Sequence, residues 1–133
     1  MIEVGQIYLI KADESNDITP KGGMDYRPKY FVVMGIDEEG NIYGGVVFDS
    51  EINRNYVSPM MMEFFMPIAA CEYPFLTHDS FLDCSKLKPA VAKKLLEGQY
   101  MGVLKPVHMT EAKRLICMSP RESFVHLRKY GLR

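Results

Sequence analysis

A mainly β fold with a helical C-terminal part is the class this sequence predicts, and three observations predict it. Residues 1 to 87 hold five short apolar segments rich in β-formers, separated by turn-rich loops, without the strand and crossover-helix alternation that a parallel sheet needs. Gly44 and Gly45 stand inside the third segment, where a bulge or sharp bend gives adjacent glycines a use. From Pro89 onward the pattern changes to helix signals, with prolines at starts and glycines at ends of charged, amphipathic runs. Together they predict a small, coiled antiparallel sheet or barrel, completed by a helical part over about residues 88 to 133 of one domain.

Each element has its own justification. "GQIYLIKA" places β-rich apolar residues behind a glycine and predicts the first strand. The loop "DESNDITPKGG" is almost all turn formers, and "KYFVVMGI" is the second strand. "DEEGN" then makes a hairpin turn, with Gly40 and Asn41 suited to positive φ, and "IYGGVVFDS" returns as the third strand. After the loop "EINRNYVSP", "MMMEFFMPIAA" predicts a fourth strand ending at Pro67, and "SFLDC" follows the turn "THDS" as the fifth. Three helices are expected next. "KPAVAKKLLEGQY" has Pro89 in its first turn and Gly98 at its end, and "TEAKRLICM" is capped by Thr110. "SPRESFVHLRKYG" carries a Ser119–Glu122 capping box, Pro120 at the first position and Gly131 at the end. Its apolar stripe of Phe124, Val125 and Leu127 would dock on the sheet or on a second subunit.

Composition narrows the function. At 133 residues, with 47% hydrophobic and 25% charged side chains, the chain has the profile of one ordinary globular domain. A net charge of -1 excludes a globally basic nucleic-acid binder but leaves room for a local basic face. Cys71, Cys84 and Cys117 form no CxxC pair and have no histidine at metal-ligand spacing, so reduced thiols in a cytosol are expected. The opening "MIEVGQIYLIKADES" does not read as a signal peptide, and no apolar run approaches the ~18 residues of a membrane span. A cytoplasmic protein that touches no membrane is the expectation. Walker, dinucleotide-binding, nucleophile-elbow and zinc-protease motifs are absent, and neither metal nor cofactor is expected.

The chemistry concentrates in "GGMDYRPKYFVVMG", residues 22 to 35. Arg27 sits at the mouth of a strand, where an arginine is ordinarily a solvated charge. Here Lys21 and Lys29 lie close, Gly22 and Gly23 let a ligand approach the backbone, and Pro28 fixes the chain direction. An arginine suits phosphate because its planar fork donates two parallel hydrogen bonds and keeps its charge. "FDSEIN" ends the third strand with Asp49, a candidate orienting group or base, and Ser50, a hydroxyl for a phosphate. The ordinary reading there is a turn whose side chains cap backbone amides. His78 beside Asp79 is not a catalytic pair by spacing, since neighbours on a strand face opposite ways, and a turn suits "THDS" better. His108 and His126 carry no pattern.

"VGQIYLIKA", a polar loop and "GGMDYRPKYFVVMG" together resemble the opening of the MazF/PemK-like toxins of the Kid and CcdB fold group. There a "GDIY" strand leads through a variable loop to an "RPVVVL" strand. "HDSFLDCSKLKPA" is similar to that family's "DSYVDCSRL" region, and the likeness runs in order over about residues 4 to 100. The strand end "FDSEIN" is closer to the ToxN-type relatives than to members with a threonine there. The loop before the arginine has Gly23-Met24-Asp25 in place of the frequent Glu-Gln.

The resemblance implies an SH3-like β-barrel with C-terminal helices, usually a homodimer. It also implies a metal-independent endoribonuclease of a toxin–antitoxin pair that cuts single-stranded RNA through attack by the RNA's own 2′-OH. Carried over, it makes Arg27 the phosphate and transition-state stabiliser and Ser50 its helper, with Asp49 as a candidate base. Lys21, Tyr26 and Lys29 would line the RNA path, Tyr26 by stacking on a base. RNA and an antitoxin, itself protein or RNA, are the expected partners. The rival is a non-catalytic SH3-like binding module for protein or nucleic acid, because a fold alone does not supply an activity. Asp25 and Asp49 would favour it if both faced the groove unpaired and repelled RNA. Residues 121 to 133, with four basic side chains against the one acid Glu122, would either guide a nucleic-acid backbone or form an exposed helix face.

Overall fold

The apolar segments pair into one antiparallel sheet in the computed structural model, which describes every residue from Met1 to Arg133. Its strands are β1 (Gln6–Ala12), β2 (Arg27–Ile36), β3 (Ile42–Asp49), β4 (Phe65–Ile68), β5 (Ser80–Val91) and β6 (Gln99–Val103). The order across the sheet is β4-β5-β3-β2-β1-β6. Short helices complete the chain: α1 (Pro59–Met62), α2 (Ala92–Leu96), α3 (Pro106–Met118) and α4 (Phe124–Lys129). The first three strands fall where the sequence places them, and Gly40 turns the β2–β3 hairpin at φ 75°. No helix is long and apolar enough to cross a membrane.

The sheet is not closed into a barrel: β4 and β6 are its two edges, and no ladder joins them. It does curl. Phe31, Val33 and Val47 share a core with Tyr8 and Ile10 of β1, Ala90 at the far end of β5 and Leu95 of α2. The gap between β1 and the end of β5 is spanned by side chains and α2 instead of strand pairing. Asn16, in a 3-10 turn after β1, donates to the Pro89 carbonyl at 2.9 Å. Lys94 of α2 donates to the Lys11 carbonyl and pairs with Asp13. On the other face a larger core joins Val32, Met34, Val46, Phe48 and Leu82 to Ala112, Leu115 and Ile116 of α3 and to Leu127 and Tyr130 at the C-terminus.

The second half departs from the sequence expectations. The fourth segment begins as α1, capped by Ser58, and only Phe65–Ile68 is strand. The fifth strand runs through Pro89 to Val91, so the helical part does not begin at residue 88. Proline is tolerated there because β4 covers β5 only from Ser80 to Asp83, which leaves the far end of β5 as an edge. Helix α2 is a single turn and "QYMGV" returns as β6, a strand the helix signals hid. Thr110 lies within α3, which starts at Pro106, and its hydroxyl donates to the Pro106 carbonyl. Ser123 caps α4, not the Ser119–Glu122 box. Of its expected stripe only Leu127 is buried, and Phe124 and Val125 remain exposed.

Ser119 and Glu122 instead serve a kink in β5. Asp83 pairs with Val47 but Lys88 pairs with Gly45, so Cys84 to Leu87 bulge out opposite Val46. The freed backbone groups are taken by side chains. Ser85's amide donates to Asp83, Ser119's hydroxyl donates to the Ser85 carbonyl, and the Leu87 amide donates to Glu122 at 2.7 Å. Glu122, its side chain 1% exposed, also pairs with His126 of α4. Glu122→Ala is therefore expected to destabilise the fold by about 1–3 kcal/mol, since it leaves the Leu87 amide without an acceptor. Thermal unfolding should show a smaller loss for Glu122→Gln, which keeps an acceptor oxygen.

Candidate functional site

The β2–β3 ladder assembles the residues singled out in the sequence. Phe31 lies opposite Val47. Two residues further out, the same register sets Lys29 against Asp49, and the two form an ion pair at 2.5 Å. Alternation along β2 puts Arg27 on that same face, at the strand's first residue, opposite Ala12 of β1. Arg27 is half-buried and takes part in none of the ion pairs. Ser50 follows β3 directly and is exposed. Lys21 and Tyr26 come from the preceding loop, and Lys11 of β1 stands 5.1 Å from the Tyr26 ring centroid.

Two clefts meet at these residues. The first, about 440 Å3, is lined by all six: Lys21, Tyr26, Arg27, Lys29, Asp49 and Ser50. Its floor is aromatic, with the Tyr30 and Phe75 rings 4.5 Å apart and Phe48 standing edge-on to Phe75 at 5.6 Å. The second, about 650 Å3, shares Lys21, Arg27, Lys29, Asp49 and Ser50 with the first and extends to Arg54, Asp83 and Arg121. The shared residues form the wall common to the two clefts.

The acids near this wall are not equivalent. Asp49 accepts at Oδ1 from the Lys29 ammonium, and Asp25, although exposed, lines neither cleft, so the two do not face a groove together unpaired. Lys29 in turn spends its charge on Asp49, and its side chain is only 11% exposed. Among the strand residues of the wall, Arg27 is thus the cation left for a ligand. Burial pushes Asp83's carboxyl above its ordinary value, and the hydroxyl and amide of Ser85 pull it part of the way back. A carboxyl raised in the folded state favours folding below its unfolded value near 3.8 and loses that advantage as pH rises through the folded value. Asp83→Asn, which keeps an acceptor for Ser85, is expected to gain stability relative to the parent as pH rises from 3 to 7, measured as paired denaturant midpoints at each pH.

His78 also lines the first cleft, though the sequence offered it only as part of a turn. Its neighbour Asp79 turns away to accept the Ala70 amide at 2.8 Å, so the adjacent pair is not a catalytic unit. The floor of Tyr30, Phe48 and Phe75 was missed as well, because the loop that brings Phe75 over β2 and β3 has no sequence signal for where it folds. No three His, Cys, Asp or Glu side chains converge as a metal site requires.

An unpaired guanidinium that shares a cleft with a hydroxyl can hold a phosphodiester, and exposed aromatic rings accept a base by stacking. No protein-family model matches the chain, and no curated protein matches it.

Proposed function

We propose that this chain is a MazF/PemK-type endoribonuclease that cleaves single-stranded RNA without a metal. Its curled sheet would then be a variant of the SH3-like barrel, opened where α2 and the 3-10 turn take the place of a closing ladder. The observation that carries the reading is the position of Arg27. It is unpaired and lines, together with Ser50, the wall common to two clefts, one of which is also lined by aromatic rings.

In this reading the RNA's 2′-oxygen attacks the adjacent phosphorus and the 5′-oxygen leaves, giving a 2′,3′-cyclic phosphate and a 5′-hydroxyl. Arg27 donates to the non-bridging oxygens as their charge rises, and Ser50 donates a further hydrogen bond. Lys29 holds Asp49 through Oδ1, which leaves Oδ2 for the proton of the 2′-OH, while solvent protonates the departing 5′-oxygen. Lys21 and Tyr26 guide the strand, with Tyr26 stacking on a base. An antitoxin, protein or RNA, would cover the wall, and two copies would associate as a homodimer in the cytoplasm.

The Lys29–Asp49 pair favours the second reading, a non-catalytic module that binds nucleic acid or protein, because the acid of the wall is already engaged by a cation of the fold. Inducible expression in a bacterial host separates the two. Growth arrest with fragmented RNA supports the nuclease. Normal growth with intact RNA, while the folded protein still binds RNA, supports the module.

A further inference from the structure

The second cleft receives a residue from the C-terminal part of the chain. The segment Ser119–Glu122 crosses from α3 to α4 along the β5 kink and is pinned at both ends. Ser119, 5% exposed, donates its hydroxyl to the Ser85 carbonyl, and Glu122 accepts the Leu87 amide. Arg121 lies between these anchors, its own amide donating to the Ser119 hydroxyl at 3.3 Å. Its side chain is exposed, enters no ion pair and lines the second cleft beside Arg27 and Arg54. The remaining basic residues of the tail go elsewhere. Arg128 and Lys129 stand on α4 beside the acidic turn Asp37–Glu39, and Arg133 donates to the Cys117 carbonyl.

We infer that Arg121 holds a backbone phosphate next to the one at Arg27, so that the ligand is a single strand several nucleotides long lying across both clefts. The inference rests on the reading of Arg27 as a phosphate site, but not on catalysis. Its physical basis is pre-organisation: a backbone fixed at two neighbouring points spends less entropy when it presents a cation than a free tail does. The acids Glu51 and Asp83 line the same cleft. Their charge opposes a phosphate backbone, so binding in this cleft depends on the arginine contacts.

The test uses the full chain and fluorescein-labelled RNA with 2′-O-methyl riboses, which cannot be cut by 2′-OH attack. Binding to a strand of roughly eight nucleotides is compared with binding to a dinucleotide. Arg121→Ala is expected to weaken the longer strand about tenfold and leave the dinucleotide unchanged. It should also flatten the salt slope by about 0.7, the share of a single phosphate. Arg121→Lys should recover most of the affinity, and Arg121→Glu should lose more than the alanine variant. Thermal unfolding of each variant verifies the fold. Equal affinity of Arg121→Ala and the parent for the longer strand, or equal loss on both lengths, overturns the inference. Absence of binding by the parent to either length overturns it together with the reading of Arg27. Binding of the longer strand with the Arg121 dependence, in a protein that leaves all-ribose RNA uncut, sustains the path and removes only the nuclease.

Discussion

Arg27→Ala is expected to slow RNA cleavage by about 10²–10³-fold, the usual cost of deleting one donor aimed at developing charge. The phosphorane of in-line 2′-OH attack carries more negative charge on its non-bridging oxygens than the diester does, so a guanidinium placed there acts mainly on kcat. Arg27 has no partner within the fold, and its removal should leave thermal unfolding within about 0.5 kcal/mol of the parent. Arg27→Lys should fall between the two, because an ammonium keeps the charge but loses the planar fork. Single-turnover cleavage of a defined oligonucleotide reads all three. A Lys29→Met control separates the wall's two strand cations: it frees Asp49 from its ion pair, whereas Arg27→Ala leaves that pair intact.

Gly45→Ala is expected to cost about 3 kcal/mol, at the upper end for overpacking a well-filled core. A methyl group at Gly45 would stand 2.3 Å from the Val32 carbonyl oxygen and 2.4 Å from the Phe31 ring, neither of which can yield without opening the β2–β3 ladder. Gly44 is constrained differently: its added carbon would meet the Tyr130 ring at 2.6 Å, which undocks the C-terminus before it disturbs the sheet. For a domain of this length the Gly45 variant should melt roughly 10 °C below the parent. The consequence for function is indirect. The same ladder sets Lys29 against Asp49, so a loosened β2–β3 register should also weaken RNA binding. A melting point unchanged in Gly45→Ala would contradict the packing described for this strand pair.

The N-terminal half was legible because its signals are local. β1, β2, β3 and the turn at Gly40 follow from β-rich runs bounded by turn formers, and the Gly44–Gly45 irregularity follows from two glycines within a strand. The C-terminal half depends on tertiary context. Pro89 looks like a helix start until the edge position of β5 is known, and Ser119 and Glu122 have the spacing of a capping box while satisfying a bulge some 35 residues away in sequence. β6 was illegible for a related reason: "QYMGV" has little β signal of its own and is strand because β1 offers it a ladder.

The site divides the same way. Alternation along β2 and its pairing with β3 bring Arg27, Lys29 and Asp49 together, and the six candidate residues do line one cleft. The Lys29–Asp49 pair was not foreseen, because it needs the register that only the hairpin fixes. Phe75 and His78 reach the cleft from a loop after β4, and Arg121 reaches its neighbour from the segment after α3. Nothing local to those three residues points at β2.

Mass spectrometry of the RNA ends tests the central claim most directly. Purified parent protein and Arg27→Ala are each incubated with a single-stranded RNA in the presence of a metal chelator, and the termini of every product are identified. Expected are 2′,3′-cyclic phosphate and 5′-hydroxyl ends from the parent, and uncut RNA from the variant under the same conditions. Products ending in 3′-hydroxyl and 5′-phosphate, equal cleavage by the two proteins, or intact RNA with the folded parent would each contradict the role assigned to Arg27.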